Sequence, residues 1–452
     1  MRPFAHQSIQ RRQFLQTAGS LAFGVLGARF AWAGETPSNT NPRAISGDPV
    51  EPDWRQRLTI TVGPGKSDFV GTTDRVIQAA VDYVARLGGG TVRILPGTYR
   101  MRNSVFLQPR VRLQGSGADT VLVKEPSTAT KLVVDGDHWD QEVTLADPGG
   151  FQVGDGVRLV GKDLFGKGTS IIQRTLVASS GNRFKLDRRL GERFHLEGDP
   201  QIATNFALIQ GTEVADVIVE HLTIDGNKSH NEMLDRGKFD DGSIRLDSCN
   251  RMTVREVTVR NFYCDGIVWG ISHDVLVERC TFLDGARLAI HPGSGSQRSI
   301  VRENRVQRSR QGVYFCWGAQ HGLVEKNVIE DCDYGMTIGH RDTDNLIRDN
   351  DIRRSGKAGI HFRPEEGGNK AFAAHRNRIE RNRIVDSGPE NGVAINITSG
   401  TESVTVVGNE LRETRKPLTR IGIRIEAETR DIRCLDNQVE GFATEISDLR
   451  KP

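Results

Sequence analysis

The chain has 452 residues, of which 49 are glycine, 37% are hydrophobic and only 6% are aromatic. Its 61 basic and 58 acidic residues leave a net charge of +3, so no global positive field points to nucleic acid as a partner. No apolar run reaches the length of a membrane span.

The first 33 residues have the pattern of an export signal. Arg11 and Arg12 precede Phe14 and Leu15, an apolar stretch ends at Trp32, and 31–33 form a small-x-small cleavage site. This pattern resembles a twin-arginine signal, which is removed after translocation. We therefore expect a periplasmic or secreted protein with no membrane span in the mature chain. Residues 34–56, rich in Pro, Ser, Thr and Asn, predict a disordered linker.

A helix is predicted to follow. Thr72-Thr73-Asp74 forms a helix start and Gly88-Gly89-Gly90 a helix end. The residues that form its apolar stripe are Val76, Ile77, Ala80, Val81, Val84 and Leu87. Strands are predicted at 91–95 and 111–114. A helix in this place can cap the open end of a solenoid, so we assign 57–138 to a capping helix and the first coils.

Residues 139–205 break the rhythm and predict a small β insertion, because short strands alternate there with Gly and Asp turns. The repeat coils are assigned to 206–452.

A repeat is visible in six asparagines that recur in similar segments at intervals of 23, 23, 32, 27 and 28 residues: Asn304, Asn327, Asn350, Asn382, Asn409 and Asn437. Leu222, Val257 and Cys280 take the same slot earlier. A self-similar period in this range marks a repeat architecture. We expect the asparagines to lie at a tight turn, to tolerate left-handed backbone angles and to hydrogen-bond along the stack.

Each repeat also contains a short strand with strict alternation of apolar and polar residues. The strands are SIRLD (243), GIVWG (266), RLAIH (287), GVYFC (312), GMTIG (335), GIHFR (359), GVAIN (392) and GIRIE (422). This alternation indicates that one face of each strand is buried. The fold prediction is therefore an all-β solenoid of parallel strands stacked about 4.8 Å apart.

The segment 74–124 is similar to the N-terminal region of right-handed parallel β-helix proteins of the pectate-lyase superfamily, and the resemblance covers most of 58–444. It implies a single-stranded right-handed parallel β-helix, in which the polysaccharide lies on the concave face across the repeated strands. It does not select an activity, because the fold carries lyases, hydrolases, epimerases and tailspikes.

Aligning the strands predicts two outward columns. The third positions are Arg245, Val268, Ala289, Tyr314, Thr337, His361, Ala394 and Arg424, and the fifth are Asp247, Gly270, His291, Cys316, Gly339, Arg363, Asn396 and Glu426. Small residues among large ones predict a trough, with walls from the loops 229–241 and 364–375. The predicted catalytic residues are His291, Tyr314, His361, Arg363 and Asp265. The predicted substrate-binding residues are Arg245, Asp247, Trp317, His340, Arg341 and Glu365.

Two chemistries compete for this surface. β-Elimination from a uronate needs a base for the C5 proton, a cation for the carboxylate and a donor for the leaving oxygen. Histidine suits the proton transfer. We expect His291 or His361 to be the base and Tyr314 to be the acid. Arg363 with Arg245, or Arg341, would neutralise the carboxylate. C5-epimerisation uses the same abstraction. Hydrolysis instead needs two carboxylates about 5–9.5 Å apart, for which the candidates are Asp247, Asp265, Asp240, Asp241 and Glu365.

Departures from the superfamily's hydrolase pattern favour the lyase. Pectin hydrolases of this fold carry Asn-Thr-Asp, Asp-Asp, Gly-His-Gly and Arg-Ile-Lys on successive rungs. Here only Asp265, in Cys264-Asp265-Gly266, and His291, in Ile290-His291-Pro292, correspond. The acidic cluster of the calcium-dependent lyases has no convincing counterpart. No cofactor is identified, and a calcium requirement stays open.

The sequence thus predicts an exported monomeric lyase of an acidic polysaccharide. The alternatives are a glycoside hydrolase of pectin-like polysaccharide, a uronate C5-epimerase and a non-catalytic carbohydrate-binding or structural β-helix protein.

Overall fold

The computed structural model describes residues 51–166, 168–234, 242–364 and 372–450. The predicted export signal and residues 34–50 of the predicted linker lie outside these ranges. The end of that linker is ordered: Trp54–Gln56 forms a 3-10 turn, and Glu51 forms an ion pair with Arg255.

Three long parallel sheets, built from one strand of each coil in turn, form the body of the described chain. Sheet 1 contains Leu58–Gly63, Phe69–Val70, Gly90–Ile94, Val111–Gln114, Ala215–Glu220, Asn250–Arg255, Leu276–Glu278, Ile300–Arg302, Leu323–Glu325, Leu346–Arg348, Arg378–Glu380, Thr405–Val407 and Arg433–Leu435. Sheet 2 contains Gly97–Met101, Thr120–Lys124, Thr223–Asp225, Thr258–Arg260, Thr281–Leu283, Arg305–Gln307, Val328–Glu330, Asp351–Arg353, Arg383–Val385, Glu410–Arg412 and Gln438–Glu440.

The third sheet, here called the wall sheet, contains the strands that the alternation predicted. They are Val105–Phe106, Ile209–Thr212, Gly242–Asp247, Asp265–Gly270, Leu288–Pro292, Gln311–Tyr314, Tyr334–Ile338, Ala358–Phe362, Val393–Ile397, Ile421–Ile425 and Thr444–Asp448. Neighbouring strands pair in parallel from coil to coil. The predicted parallel β-helix is thereby confirmed.

One continuous apolar core runs along the axis of the solenoid. The wall sheet contributes a stack of completely buried aliphatic side chains, namely Ile244, Ile267, Ile290, Val313, Met336, Ile360, Ile395 and Ile423. Each of them is at the same register as its neighbours in the next coils, so the alternation along each strand fixes which face meets the core.

The helix Asp74–Arg86 covers the N-terminal end of this core. Ile77, Ala80, Val81 and Val84 are completely buried against it, as the apolar stripe predicted. Leu87 is an exception, because it lies past the last helical residue and is mostly exposed. No helix within the described ranges is long and apolar enough to cross a membrane.

The small β insertion is a six-stranded antiparallel sheet with its own apolar core. Its strands are Ala129–Lys131, Glu142–Thr144, Gly156–Lys162, Thr169–Ser180, Arg183–Leu186 and Gln201–Ala203. The sheet therefore includes residues ten positions before 139. It contacts the wall sheet, where Nη1 of Arg245 donates to Oε1 of Gln173 at 3.3 Å.

The recurring asparagines form a buried ladder. Nδ2 of each donates to Oδ1 of the next, at 2.9 Å for Asn304 and Asn327 and at 2.8 Å for Asn350 and Asn382. The expected bonding along the stack is confirmed. The left-handed backbone belongs instead to the residue before each asparagine, such as Glu303 at φ 57° and Lys326 at φ 54°. The ladder is scaffold.

Candidate functional site

The outward residues of the wall sheet form one column whose register differs from the predicted one. Strand pairing places the following residues in line: Arg245, Val268, His291, Tyr314, Thr337, His361, Asn396 and Arg424. The sequence alignment had Ala289 and Ala394 in this column. On those two rungs the predicted register was displaced by two residues. The reason is that Ala289 and Ala394 occupy the position that Gly266, Gly312 and Gly359 occupy in their strands.

The corrected register brings His291, Tyr314, Thr337 and His361 onto four consecutive rungs. The rings of His291 and Tyr314 meet edge to face, with centroids 5.0 Å apart and an interplanar angle of 88°. Consecutive rungs are about 4.8 Å apart. Tyr314 and His361 are the two of these side chains that are partly exposed, and they lie close enough to act on the same sugar residue.

Asp265 and His291 form a buried pair on adjacent rungs. Oδ2 of Asp265 lies 2.7 Å from Nδ1 of His291, and both residues are completely buried. The other carboxylate oxygen accepts from the backbone N–H of Leu288 at 3.3 Å and lies 3.5 Å from Nε of Arg287. A carboxylate at Nδ1 holds the neutral imidazole as the Nδ1–H tautomer.

Arg363 lies over the ring of Tyr314, with its Cζ 4.1 Å from the ring centroid. Its guanidinium donates to Oγ1 of Thr337 at 2.8 Å and to the carbonyl of Phe315 at 2.7 Å. Since this side chain is only 13% exposed, Arg363 is committed to the protein and serves as a fixed positive charge beside Tyr314.

His361 lies on the rung after Thr337 and is partly exposed. Its ring stacks on Tyr334 with centroids 5.4 Å apart, and its Nδ1 lies 3.2 Å from Nδ2 of Asn396. Burial, together with the charge of Arg363, lowers the pKa of His361 to about 4. The imidazole is therefore neutral at physiological pH.

Trp317, His340 and Arg341 come together at the turns that follow two wall strands. The rings of Trp317 and His340 are 5.1 Å apart, and Phe372 lies 6.2 Å from Trp317 and under the guanidinium of Arg341. Trp317 remains 38% exposed, which leaves an aromatic surface at the edge of the column.

Arg245 and Asp247 lie at the other end, separated from His291 by the rung of Val268. They are 3.9 Å apart and adjoin the insertion. The structure therefore does not bring them next to the two histidines. Glu365, Asp240 and Asp241 lie outside the described residues.

Asp342 is a residue of this site that the sequence did not suggest. Its carboxylate is completely buried and lies 3.5 Å from Nη2 of Arg363. Burial raises the pKa of Asp342 to about 6, against the opposing effect of Arg363 and of backbone N–H donors. The only sequence signal was its place in the turn after the Gly339 rung.

No group of three or more His, Cys, Asp or Glu side chains placed to hold a metal ion occurs in the described ranges.

Comparisons with known proteins agree with this architecture. Residues 242–411 match the family model described as the right handed beta helix region. No curated protein matches the chain.

Three solved structures illustrate the similarity. An exopolygalacturonase from Thermotoga maritima is 12% identical, with 90% of this chain and 94% of that chain covered and a TM-score of 0.51. A polygalacturonase from Erwinia carotovora is 13% identical, with 88% and 98% covered and a TM-score of 0.51. The surface adhesin PfbA from Streptococcus pneumoniae is 14% identical, with 87% and 100% covered and a TM-score of 0.52. At these identities the likeness shows the fold: a right-handed parallel β-helix.

Proposed function

We propose that the protein is an exported lyase that cleaves a uronate-containing polysaccharide by β-elimination at the wall column. The observation that carries this proposal is the sequence of groups on adjacent rungs. Tyr314 follows His291, which is oriented by the buried Asp265. Two rungs after Tyr314 lies His361, which is neutral and partly exposed, and the guanidinium of Arg363 covers the ring of Tyr314.

His361 is the proposed base. Oδ1 of Asn396 is buried and has no hydrogen-bond partner among the described residues. Turning this amide by 180° would let Oδ1 accept a hydrogen bond from the Nδ1–H of His361. The Nε2 lone pair would then be available to remove the C5 proton.

Tyr314 is the proposed acid. As the C5 proton moves to His361, the electron pair of the C5–H bond forms the C4–C5 double bond and the C4–O bond breaks. The leaving oxygen takes the Tyr314 proton, and His291, held by Asp265, supports the return of a proton to the phenol. The fixed positive charge of Arg363 stabilises the negative charge that develops on the substrate beside Tyr314 and His361.

The exposed aromatic surface at Trp317, with Arg341, is the proposed binding site for a flanking sugar. A ring face suits the apolar side of a sugar, and an exposed guanidinium suits a carboxylate. Arg245 and Asp247 are proposed as more distant contacts with the chain.

Hydrolysis is less well supported by the described residues. It needs two carboxylates that reach the scissile bond from either side. Asp265 and Asp342 are both completely buried, where they pair with His291 and Arg363. The partly exposed Asp247 lies beside Arg245, separated from His291 by the rung of Val268.

The test is a screen of the purified mature protein against uronate-rich and neutral glycans. Ultraviolet absorbance detects an unsaturated uronate, and a reducing-end assay detects any cleavage. Tyr314→Phe should lower kcat by about 100-fold or more, because the hydroxyl that donates the proton is lost. New reducing ends without absorbance would instead indicate a hydrolase, and specific retention on a glycan array without a product would indicate a binding protein.

A further inference from the structure

Asp342 joins two parts of the site that are distant in sequence. One carboxylate oxygen, Oδ1, accepts from the backbone N–H groups of Gly318 and Ala319 at 2.9 and 3.0 Å. The other, Oδ2, accepts from the backbone N–H of Gly339 at 2.9 Å and faces Arg363. A single charge thus holds the turn that follows Trp317 and the guanidinium that covers Tyr314.

The backbone around this carboxylate is unusual. Trp317, His340 and Arg341 all have left-handed backbone angles, with φ of 51°, 46° and 68°. Such angles are costly for residues with a side chain and persist only when surrounding contacts stabilise them. The hydrogen bonds from the N–H groups of Gly318, Ala319 and Gly339 to Asp342 are part of these contacts.

The side chain of Arg363 also packs closely against Gly339, which leaves no room for a larger residue there. A Cβ added to Gly339 would lie 3.0 Å from Cβ and 3.3 Å from Nε of Arg363. The carbonyl of Asp342 accepts from Nδ2 of the buried Asn377 at 2.8 Å, so its own backbone is anchored. The cluster is therefore built around one arrangement of Arg363.

We propose that Asp342 is the positioning residue of this site, which sets both Arg363 over Tyr314 and the exposed ring of Trp317. The catalytic part of this inference rests on the proposed lyase function, whereas the placement of Trp317 does not. When Asp342 is ionised, it accepts from all four donors. Protonation removes the ion pair with Arg363 and one acceptor site, and the turn loosens.

The test compares Asp342→Asn with Asp344→Asn. Asp344 is two residues away and bonds Arg376 at 2.8 Å, outside the wall column, so its variant is the matched control. The first readout is acrylamide quenching of Trp317, taken as the difference from Trp317→Phe in each background at pH 8. Quenching should increase in Asp342→Asn and stay at the wild-type value in Asp344→Asn.

The second readout is the pH profile of kcat on a uronate-rich glycan. It is measured in a His340→Gln background, so that no histidine lies against Trp317. Arg341 and Arg363, the other charged groups around Asp342, keep their charge. The kcat of the parent should fall as the pH drops below about 6. Asp342→Asn should lose about 100-fold in kcat, with a smaller change in KM, and lack this limb.

Gly339→Ala is the second variant, in case Asp342→Asn does not fold. It should displace Arg363 and lower kcat, and it should leave the quenching of Trp317 at the wild-type value, because the bonds from Gly318 and Ala319 to Asp342 stay intact. Unchanged quenching in Asp342→Asn, or an acidic limb that persists in it, would overturn the inference. A wild type that acts on no glycan would contradict the proposed function, and the quenching experiment would still decide the placement of Trp317.

Discussion

The imidazole of His291 and the carboxylate of Asp265 are in contact at 2.7 Å although both residues are completely buried. They come from adjacent rungs, whose parallel strands pair residue 268 with residue 291. A buried carboxylate is costly unless it is paired, and here His291, Arg287 and a backbone N–H compensate it.

Asp265→Asn should lower kcat by about 100-fold or more, because an amide does not enforce the Nδ1–H tautomer of His291. Tautomer and ionisation of His291 can be read from its ¹⁵N chemical shifts. Asp274→Asn is the control, since Asp274 bonds Arg298 at a turn outside the wall sheet. Full activity in Asp265→Asn would remove the pair from the mechanism.

His361 should make stability depend on pH. Its pKa is about 4 in the folded protein and 6.5 in its ordinary state, so the unfolded chain binds more protons between these values. This contribution to stability is therefore absent at low pH and grows as the pH rises from about 4 to 6.5, by up to about 3 kcal/mol. In His361→Gln the urea-unfolding free energy should lack this rise.

Asp342 supplies a contrast of opposite sign. Its pKa is raised to about 6 from 3.8, so its contribution is fully present below the unfolded value and is lost as the pH rises through about 6. Asp342→Asn should therefore remove a fall of the unfolding free energy with rising pH, whereas His361→Gln should remove a rise. Difference curves of the same sign for both variants would contradict the assigned environments.

The asparagine ladder should carry stability and no activity. Asn350 donates to the carbonyl of Val324 at 2.9 Å and to Asn382, and it accepts from Asn327. Asn350→Ala should cost about 3 kcal/mol, because it leaves buried groups on both neighbouring rungs without partners. Asn437→Ala, at the partly exposed end of the ladder, should cost less. Chemical denaturation measures the loss of stability in each variant. An unchanged kcat in both variants would show that the ladder has no role in activity.

Most of the fold could be predicted from the sequence because its signals are local. Alternation along each wall strand identifies Ile244, Ile267 and Ile360 as core residues without knowledge of the neighbours. The turn glycines mark most rungs in the same way. Ala289 and Ala394 broke that rule, and the error displaced His291 and Asn396 by two positions.

The arrangement of the site was less accessible because its contacts run between rungs. Asp342 precedes Arg363 by 21 residues and follows Gly318 by 24, and nothing in the local sequence links these three. The sequence likewise predicted that Arg363 binds the substrate carboxylate, whereas its guanidinium donates to Thr337 and to the carbonyl of Phe315. Such pairings follow only from the exact stacking of the coils.

The most direct test of the proposed site is the ultraviolet absorbance of the products formed from uronate-rich polysaccharides by the wild type and by a His291→Ala, His361→Ala double variant. The wild type should generate absorbance together with new reducing ends, and the folded double variant should generate neither. Cleavage without absorbance in the wild type, or full absorbance from the double variant, would contradict β-elimination at the wall column.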